Sequence, residues 1–213
     1  VQFAFFGAYF ILSIPAGFLL SKIGYKRGIV AGLITMAIGC FLFYPAASFR
    51  EFNVFLLAYF VLAGGITVLQ VAANPYVAVL GSESGAASRL NLSQAFNSLG
   101  TSIAPILGAS FILSDKVRSS DEISEMTSTA REAYLISEAT AVQTPFMIIT
   151  SFIILLALVF VFVKLPTMLS SVPKGGYSSL LQNKSLLLGA LGIFIYVGAE
   201  VAIGSYLVNY FFN

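Results

Sequence analysis

The sequence lacks histidine altogether and has a single cysteine, Cys40, among its 213 residues. Without histidine, the chain has neither the commonest metal ligand nor the usual proton shuttle of neutral pH. One cysteine cannot form a disulfide within the chain, and the two shortages together argue against a zinc site. They also leave no visible pair of nucleophile and base. The composition therefore disfavours an enzyme and predicts no metal and no bound cofactor.

Charged residues are scarce as well. They make up 9% of the chain, whereas hydrophobic residues make up 58%; soluble domains have about 25% charged residues. The mean hydropathy is +0.93. So few charges cannot cover the surface of a soluble protein, so the expected surroundings are membrane lipid. The net charge of +2 is too small to suggest a nucleic-acid partner.

Long uncharged stretches divide the chain into predicted membrane spans. Each is long enough for a helix of about 20 residues, which crosses about 30 Å of hydrocarbon. Lipid requires the backbone to satisfy its own hydrogen bonds, which favours helices. The sequence predicts an all-α membrane protein with helices near residues 1–20, 28–48, 53–80, 89–113, 143–163 and 185–212.

The basic residues predict the orientation of these helices. The first, third and fifth gaps between spans carry seven Lys or Arg residues, and the second and fourth gaps carry four. Basic residues concentrate on the cytoplasmic side, so the odd gaps are expected there and the first helix runs inward. The sequence begins without methionine inside an apolar stretch, and it ends in another. We therefore expect a fragment that lacks at least one preceding helix.

Amides interrupt the third predicted span. Thr67, Gln70 and Asn74 are spaced to share one helix face,. Pro75 removes a backbone hydrogen bond to the carbonyl near Val71, so a broken helix is expected beside these side chains,. One interpretation is a cavity for a polar solute. The alternative is that the amides bond to neighbouring helices.

The fourth predicted span repeats this arrangement. Asn91, Gln94, Ser98 and Thr101 form a polar stripe that begins at the cytoplasmic side, and Asn97 is expected to point elsewhere. Sugar hydroxyls donate and accept hydrogen bonds, and amides do the same. Gln94 is therefore the candidate for substrate contact, with helix–helix hydrogen bonding again as the alternative.

One carboxylate lies inside a predicted span. Glu200 is near the middle of the last span, one turn after Tyr196. A charge at that depth costs about 3 kcal/mol or more. Glu200 is thus a candidate for binding sugar hydroxyls, carrying a proton or helping to hold sodium. A structural hydrogen bond from a neutral carboxyl is the alternative.

The first cytoplasmic turn combines glycines with cations: Gly17, Lys22, Gly24, Lys26 and Arg27. Glycine permits a tight turn. The cations could contact helix C-termini or acids at an inner gate; the alternative is that they only set topology.

This turn resembles the signature loop between helices two and three of the major facilitator superfamily, although Ser21 stands where that loop usually has an acid. Four other segments resemble the fucose/glucose–galactose:cation symporter branch of the superfamily: "AANPYVAVLG", "RLNLSQAFNSLG", "VQTPFMI" and "YVGAEVAIGSYLVNYF". The resemblance covers essentially the whole chain.

The resemblance implies a fragment of a twelve-helix fold, comprising helices two to seven and built on inverted three-helix repeats. The Phe–Pro pairs Phe6/Pro15 and Phe96/Pro105, with equal spacing three helices apart, fit such a repeat,. Residues 1–164 would belong to the N-terminal bundle, 165–184 to a cytoplasmic linker and 185–213 to the first helix of the C-terminal bundle.

The same resemblance implies uptake of a hexose, coupled to H⁺ or Na⁺, across a bacterial inner membrane by a protein that is monomeric at full length. Gln70 stands where fucose transporters carry Glu, and Glu200 where they carry Gln, which favours glucose or galactose. The implied sugar site comprises Gln70, Asn74, Asn91, Gln94, Tyr196 and Glu200. Transport of fucose or N-acetylglucosamine, export of a small molecule and a membrane sensor or assembly subunit remain alternatives.

Overall fold

The protein is described by a computed structural model, which covers residues 2–112, 120–166 and 180–212. All regular structure in these ranges is helical. Most of the predicted linker, 165–184, lies outside them. The helices are α1 (Gln2–Phe49), α2 (Phe52–Val79), α3 (Ala86–Ile112), α4 (Ser120–Ser124), α5 (Ser128–Ala141), α6 (Gln143–Phe162) and α7 (Lys184–Phe212), with a short 3₁₀ turn at Glu83–Gly85.

Helix α1 consists of two segments joined at Gly24. The backbone there has φ 79° and ψ 168°, while the residues on either side are helical. Glycine alone adopts this conformation readily. Phe5 in the first segment and Phe43 in the second both contact the ring of Tyr59, at 5.7 Å between centroids. Since each lies 19 residues from Gly24, the segments fold back on one another as the two arms of a hairpin.

We expect Gly24→Ala to destabilise the protein by about 1–3 kcal/mol, because alanine is strained at this φ and ψ,. Crowding plays no part, since nothing lies within 4 Å of a Cβ built on Gly24. Thermal unfolding of the full-length protein in detergent measures the effect. Gly7→Ala is the control, because Gly7 is helical and equally uncrowded. Equal midpoints for the two variants would contradict the prediction.

The core lies where the second segment of α1 packs against α2 and α6. Leu33, Cys40 and Phe43 of α1 are almost fully buried. The ring of Phe43 stacks on that of Phe146 in α6, at 4.1 Å between centroids. Most buried positions of α2 and α6 carry small residues, which allow membrane helices to approach closely: Ala58, Ala63, Gly64, Gly65, Thr67, Ala72, Thr150 and Ala157.

Glycines set the separation between α1 and α2. A Cβ on Gly39 would lie 2.4 Å from the backbone nitrogen of Leu62, and a Cβ on Gly65 would lie 2.4 Å from the backbone nitrogen of Met36. Gly32 faces the backbone of Leu69 in the same way. The two helices therefore touch backbone to backbone along two turns.

Four helical stretches of the described residues are long and apolar enough to cross a membrane: Phe3–Phe49, Phe52–Val79, Ser128–Phe162 and Lys184–Gly204. Phe3–Phe49 contains the first two predicted spans, because the helix is continuous apart from Gly24. The span predicted at 89–113 is the helix α3, and its polar residues keep it outside this set.

The chain divides into two compact units, Val1–Leu169 and Ser170–Asn213. The first contains α1 to α6, and the second contains α7, whose described side chains are almost all exposed. The predicted boundaries of bundle, linker and second bundle remain a prediction.

Candidate functional site

Two amides lie on the open side of α2. Gln70 and Asn74 are both exposed and one turn apart, and within the described residues neither side chain forms a hydrogen bond. Thr67, one turn earlier, is only 2% exposed, and its hydroxyl donates to the carbonyl of Ala63 at 2.8 Å. The polar face of α2 is thus covered by neighbouring helices at Thr67 and open from Gln70 onward.

The predicted break of α2 is wrong: Pro75 lies inside one helix that runs from Phe52 to Val79. A membrane helix tolerates the missing N–H where neighbouring groups hold the backbone. The next residue, Tyr76, supplies such an anchor, because it is buried and its hydroxyl donates to the carbonyl of Pro166 at 3.2 Å. Its ring also packs against Tyr25, at 5.9 Å between centroids.

The polar stripe of α3 is exposed along its whole length, at Asn91, Gln94, Ser98 and Thr101. Asn97 belongs to it as well, because its Nδ2 donates to Oε1 of Gln94 at 3.3 Å. The expectation that Asn97 points elsewhere is therefore wrong. The side chains three residues apart on a helix are neighbours, and this pair holds the Gln94 amide in one orientation.

Arg89 joins the two amide-bearing helices. Its Nε donates to the carbonyl of Val77 at 3.1 Å, and its Nη2 donates to the carbonyls of Ala78 at 2.6 Å and Ser82 at 3.1 Å. The last carbonyls of a helix lack partners within the helix, and the C-terminus attracts a cation. Arg89, near the start of α3, thus caps the end of α2.

Two glycines make room for this cap. A Cβ on Gly81 would lie 3.1 Å from Nη1 of Arg89, and a Cβ on Gly85 would lie 2.8 Å from it. Gly81 also has φ 135°, a region that other residues avoid,. From the sequence, Arg89 is expected only as one of the charges that set topology. The signal for the cap is the pair of glycines eight and four residues before Arg89.

The basic turn of α1 contacts the end of another helix. Lys26 donates from Nζ to the carbonyl of Val161, in the last turn of α6, at 2.9 Å. Nζ of Lys22 lies 4.3 Å from the centroid of the Phe18 ring. Arg27 is exposed. No acid of the described residues lies within ion-pair distance of these cations. Gly17, the other glycine predicted for this turn, makes no close helix contact, because a Cβ built on it would meet nothing within 4 Å.

The remaining two candidates are in the second unit. Tyr196 and Glu200 are one turn apart on α7, and both are exposed. That they share a chamber with Gln70 and Gln94 stays a prediction.

Two apolar grooves lie within the first unit, and none of the amides lines either of them. One, of about 530 Å³, lies between the first segment of α1 and α2, with Lys22 at its end. The other, of about 420 Å³, lies between the second segment of α1 and α6. The amides of α2 and α3 are instead exposed side chains outside these two grooves.

Several known proteins are similar to this chain in sequence. Over residues 1–212 the chain matches the family described as the Major Facilitator Superfamily. It is 52% identical to a glucose/galactose transporter of Brucella abortus, covering 99% of this chain and 48% of that protein. It is 47% identical to a putative glucose/galactose transporter of Helicobacter pylori, covering 98% of this chain and 49% of that protein. It is 41% identical to the L-fucose-proton symporter of Escherichia coli, covering 99% of this chain and 50% of that protein.

The fold matches a known structure as well. The chain superposes on a crystal structure of the Escherichia coli fucose:proton symporter FucP with a TM-score of 0.87 at 41% identity, covering 98% of this chain and 53% of that one. The chain spans about half the length of the relatives it matches. Sequence and fold agree, and the chain belongs to the major facilitator superfamily.

Proposed function

We propose that the protein to which this chain belongs takes up a hexose by cation-coupled symport. The observation that carries the proposal is the set of exposed amides on α2 and α3. Within the described residues, the side chains of Gln70, Asn74 and Asn91 form no hydrogen bond. An unsatisfied polar group in hydrocarbon costs several kcal/mol. A wet chamber with a hydroxylated solute would satisfy these amides.

The relatives support a hexose as that solute. Two of them are named as transporters of glucose and galactose, and a more distant one is named as a fucose-proton symporter. We therefore propose glucose or galactose as substrate and the proton as coupling ion, with sodium as the alternative ion. The location that follows is a bacterial inner membrane.

The proposed mechanism is alternating access around a site near mid-membrane. The amides of Gln70, Asn74, Asn91 and Gln94 would bind the sugar hydroxyls. On α7, Tyr196 and Glu200 would complete the site from the other half, with the Glu200 carboxyl as the candidate proton carrier. The basic turn of α1 and the Arg89 cap would keep the cytoplasmic helix ends together while the halves rock.

Counterflow in proteoliposomes tests the function. The full-length protein is reconstituted, the vesicles are loaded with unlabelled glucose, and entry of labelled glucose is followed. We expect competition by galactose and weaker competition by fucose and N-acetylglucosamine. Uptake driven by an imposed proton gradient, without sodium, would identify the coupling ion. Transport of an apolar dye with no competition by any sugar would contradict symport and favour an exporter.

A further inference from the structure

The groove between the second segment of α1 and α6 has a wall of apolar residues with one exception. Thr150 is its one polar member, and the Thr150 hydroxyl donates to the carbonyl of Phe146 at 2.8 Å. The other lining residues are Val30, Ile34, Ala37, Ile38, Phe41, Ile154, Ala157, Leu158 and Val161. We call this surface the α1–α6 groove. Its volume of about 420 Å³ is large enough for a hydrocarbon chain rather than for a few waters,.

The length of the groove corresponds to one leaflet. It extends from Val30 to Phe41 on α1 and from Thr150 to Val161 on α6, which is eleven residue-to-residue steps on each helix. At 1.5 Å per residue this is about 16 Å, close to half of the roughly 30 Å hydrocarbon core. The two helices meet at the basic end, because Lys26 donates to the carbonyl of Val161. The groove therefore covers the leaflet on the basic, cytoplasmic side.

Besides Lys26, two further cations lie at that end of the groove. Arg27 precedes Val30 by three residues, so it lies on the same face of α1, one turn closer to the membrane surface,. Lys164 follows the last residue of α6 by two positions. Both side chains are exposed. The ion pair that the described residues form, Arg50–Glu132, does not involve either of them.

We propose that the α1–α6 groove binds an anionic phospholipid of the cytoplasmic leaflet, with one acyl chain in the groove and the phosphate between Arg27 and Lys164. Basic pockets between helices on the cytoplasmic side bind such headgroups. A zwitterionic lipid would fill the apolar slot and offer the same phosphate, but the ammonium of its headgroup would be repelled by the two cations, so the site favours a headgroup with net negative charge. The proposal depends on the geometry of the first unit and not on which sugar is transported.

Native mass spectrometry of the full-length protein in detergent tests the site. The probes are phosphatidylglycerol and phosphatidylcholine with identical acyl chains. We expect phosphatidylglycerol to remain bound in preference to phosphatidylcholine. Lys164→Gln is expected to weaken phosphatidylglycerol binding about fivefold, and Arg27→Gln/Lys164→Gln about 25-fold, at roughly fivefold per cation. Arg131→Gln is the matched control, because it removes a cation of α5 that precedes the opposite end of α6.

A second pair of variants tests the groove itself. Ile154→Trp fills it, whereas Leu155→Trp changes the next residue, which is exposed but does not line the groove. We expect loss of tight phosphatidylglycerol binding in the first variant only. The proposal is overturned if the two lipids bind equally, if Lys164→Gln and Arg131→Gln behave alike, or if Ile154→Trp and Leu155→Trp behave alike.

Discussion

Gly39→Ala lowers the free energy of unfolding of the protein by about 1–3 kcal/mol or more, because adding a methyl group to a well-packed core usually costs that much. The added Cβ would lie 2.4 Å from the nitrogen and 2.5 Å from the Cα of Leu62. Both atoms are backbone, so no side chain can rotate away and the two helices must separate. Separation also weakens the contacts of Gly32 and Gly65 along the same interface. Thermal unfolding in detergent and the yield of folded full-length protein measure the loss.

The matched control for Gly39→Ala is Gly108→Ala. Gly108 lies inside α3, with nothing within 4 Å of an added Cβ. Alanine favours helix over glycine by up to about 1 kcal/mol, so this variant should be as stable as the parent or more so. Leu62→Ala should not rescue Gly39→Ala, because it leaves the clashing backbone atoms in place. Rescue by Leu62→Ala, or equal unfolding midpoints for the two glycine variants, would contradict the prediction. Either result would mean that α1 and α2 leave room for a methyl group at Gly39.

Gln94→Ala reduces sugar affinity about tenfold or more, if the proposed site is correct. An amide that both donates to and accepts from hydroxyls contributes about 1–3 kcal/mol when its loss leaves buried partners unsatisfied. Asn97 loses its own partner in this variant, since its Nδ2 donates to Gln94. Asn97→Ala should reduce sugar affinity less than Gln94→Ala does, because it removes only the hydrogen bond that orients Gln94 and leaves the Gln94 amide in place. The measurement is the concentration dependence of labelled glucose uptake by the full-length protein in vesicles.

Ser110→Ala is the control for Gln94→Ala, because Ser110 is on the same helix and its hydroxyl donates only to the carbonyl of Leu107. Uptake should be unchanged there at equal expression. An affinity for glucose, galactose and fucose equal to that of the parent in Gln94→Ala would remove Gln94 from the site. The transport assay on the parent protein would still stand, so failure of the site and failure of the function are separable.

Much of the first unit follows from the sequence, because apolar runs bounded by charges give helices near their true positions. The predicted basic turn corresponds to the break at Gly24, whose backbone requires glycine. The predicted contact between a cation of this turn and a helix C-terminus is present at Lys26. The break at Gly24 depends on local chemistry, whereas the Lys26 contact joins residues 135 positions apart and follows from the general affinity of a helix C-terminus for a cation,.

The errors concern features that depend on three-dimensional surroundings. A helical wheel gives the direction of Asn97 from the axis but not the rotamer that brings its Nδ2 to Gln94. Pro75 predicts a lost hydrogen bond, but whether a helix breaks depends on the anchors around it, here Tyr76 and its contact with Pro166. The Arg89 cap requires the chain to turn back at Gly81, which spacing alone does not reveal. The relation of Glu200 to the amides of α2 and α3 remains a prediction.

The one-residue joint at Gly24 has a consequence for how the protein enters the membrane. No loop separates the two arms of α1, so neither can be released into lipid, or turned over, without the other. By the positive-inside rule, we expect cations on both sides of the joint to decide their orientation jointly: Lys22 before it, and Lys26 and Arg27 after it,. Positive charge added at the far end of one arm would have to invert the whole hairpin, and the topology of this pair is correspondingly resistant to change.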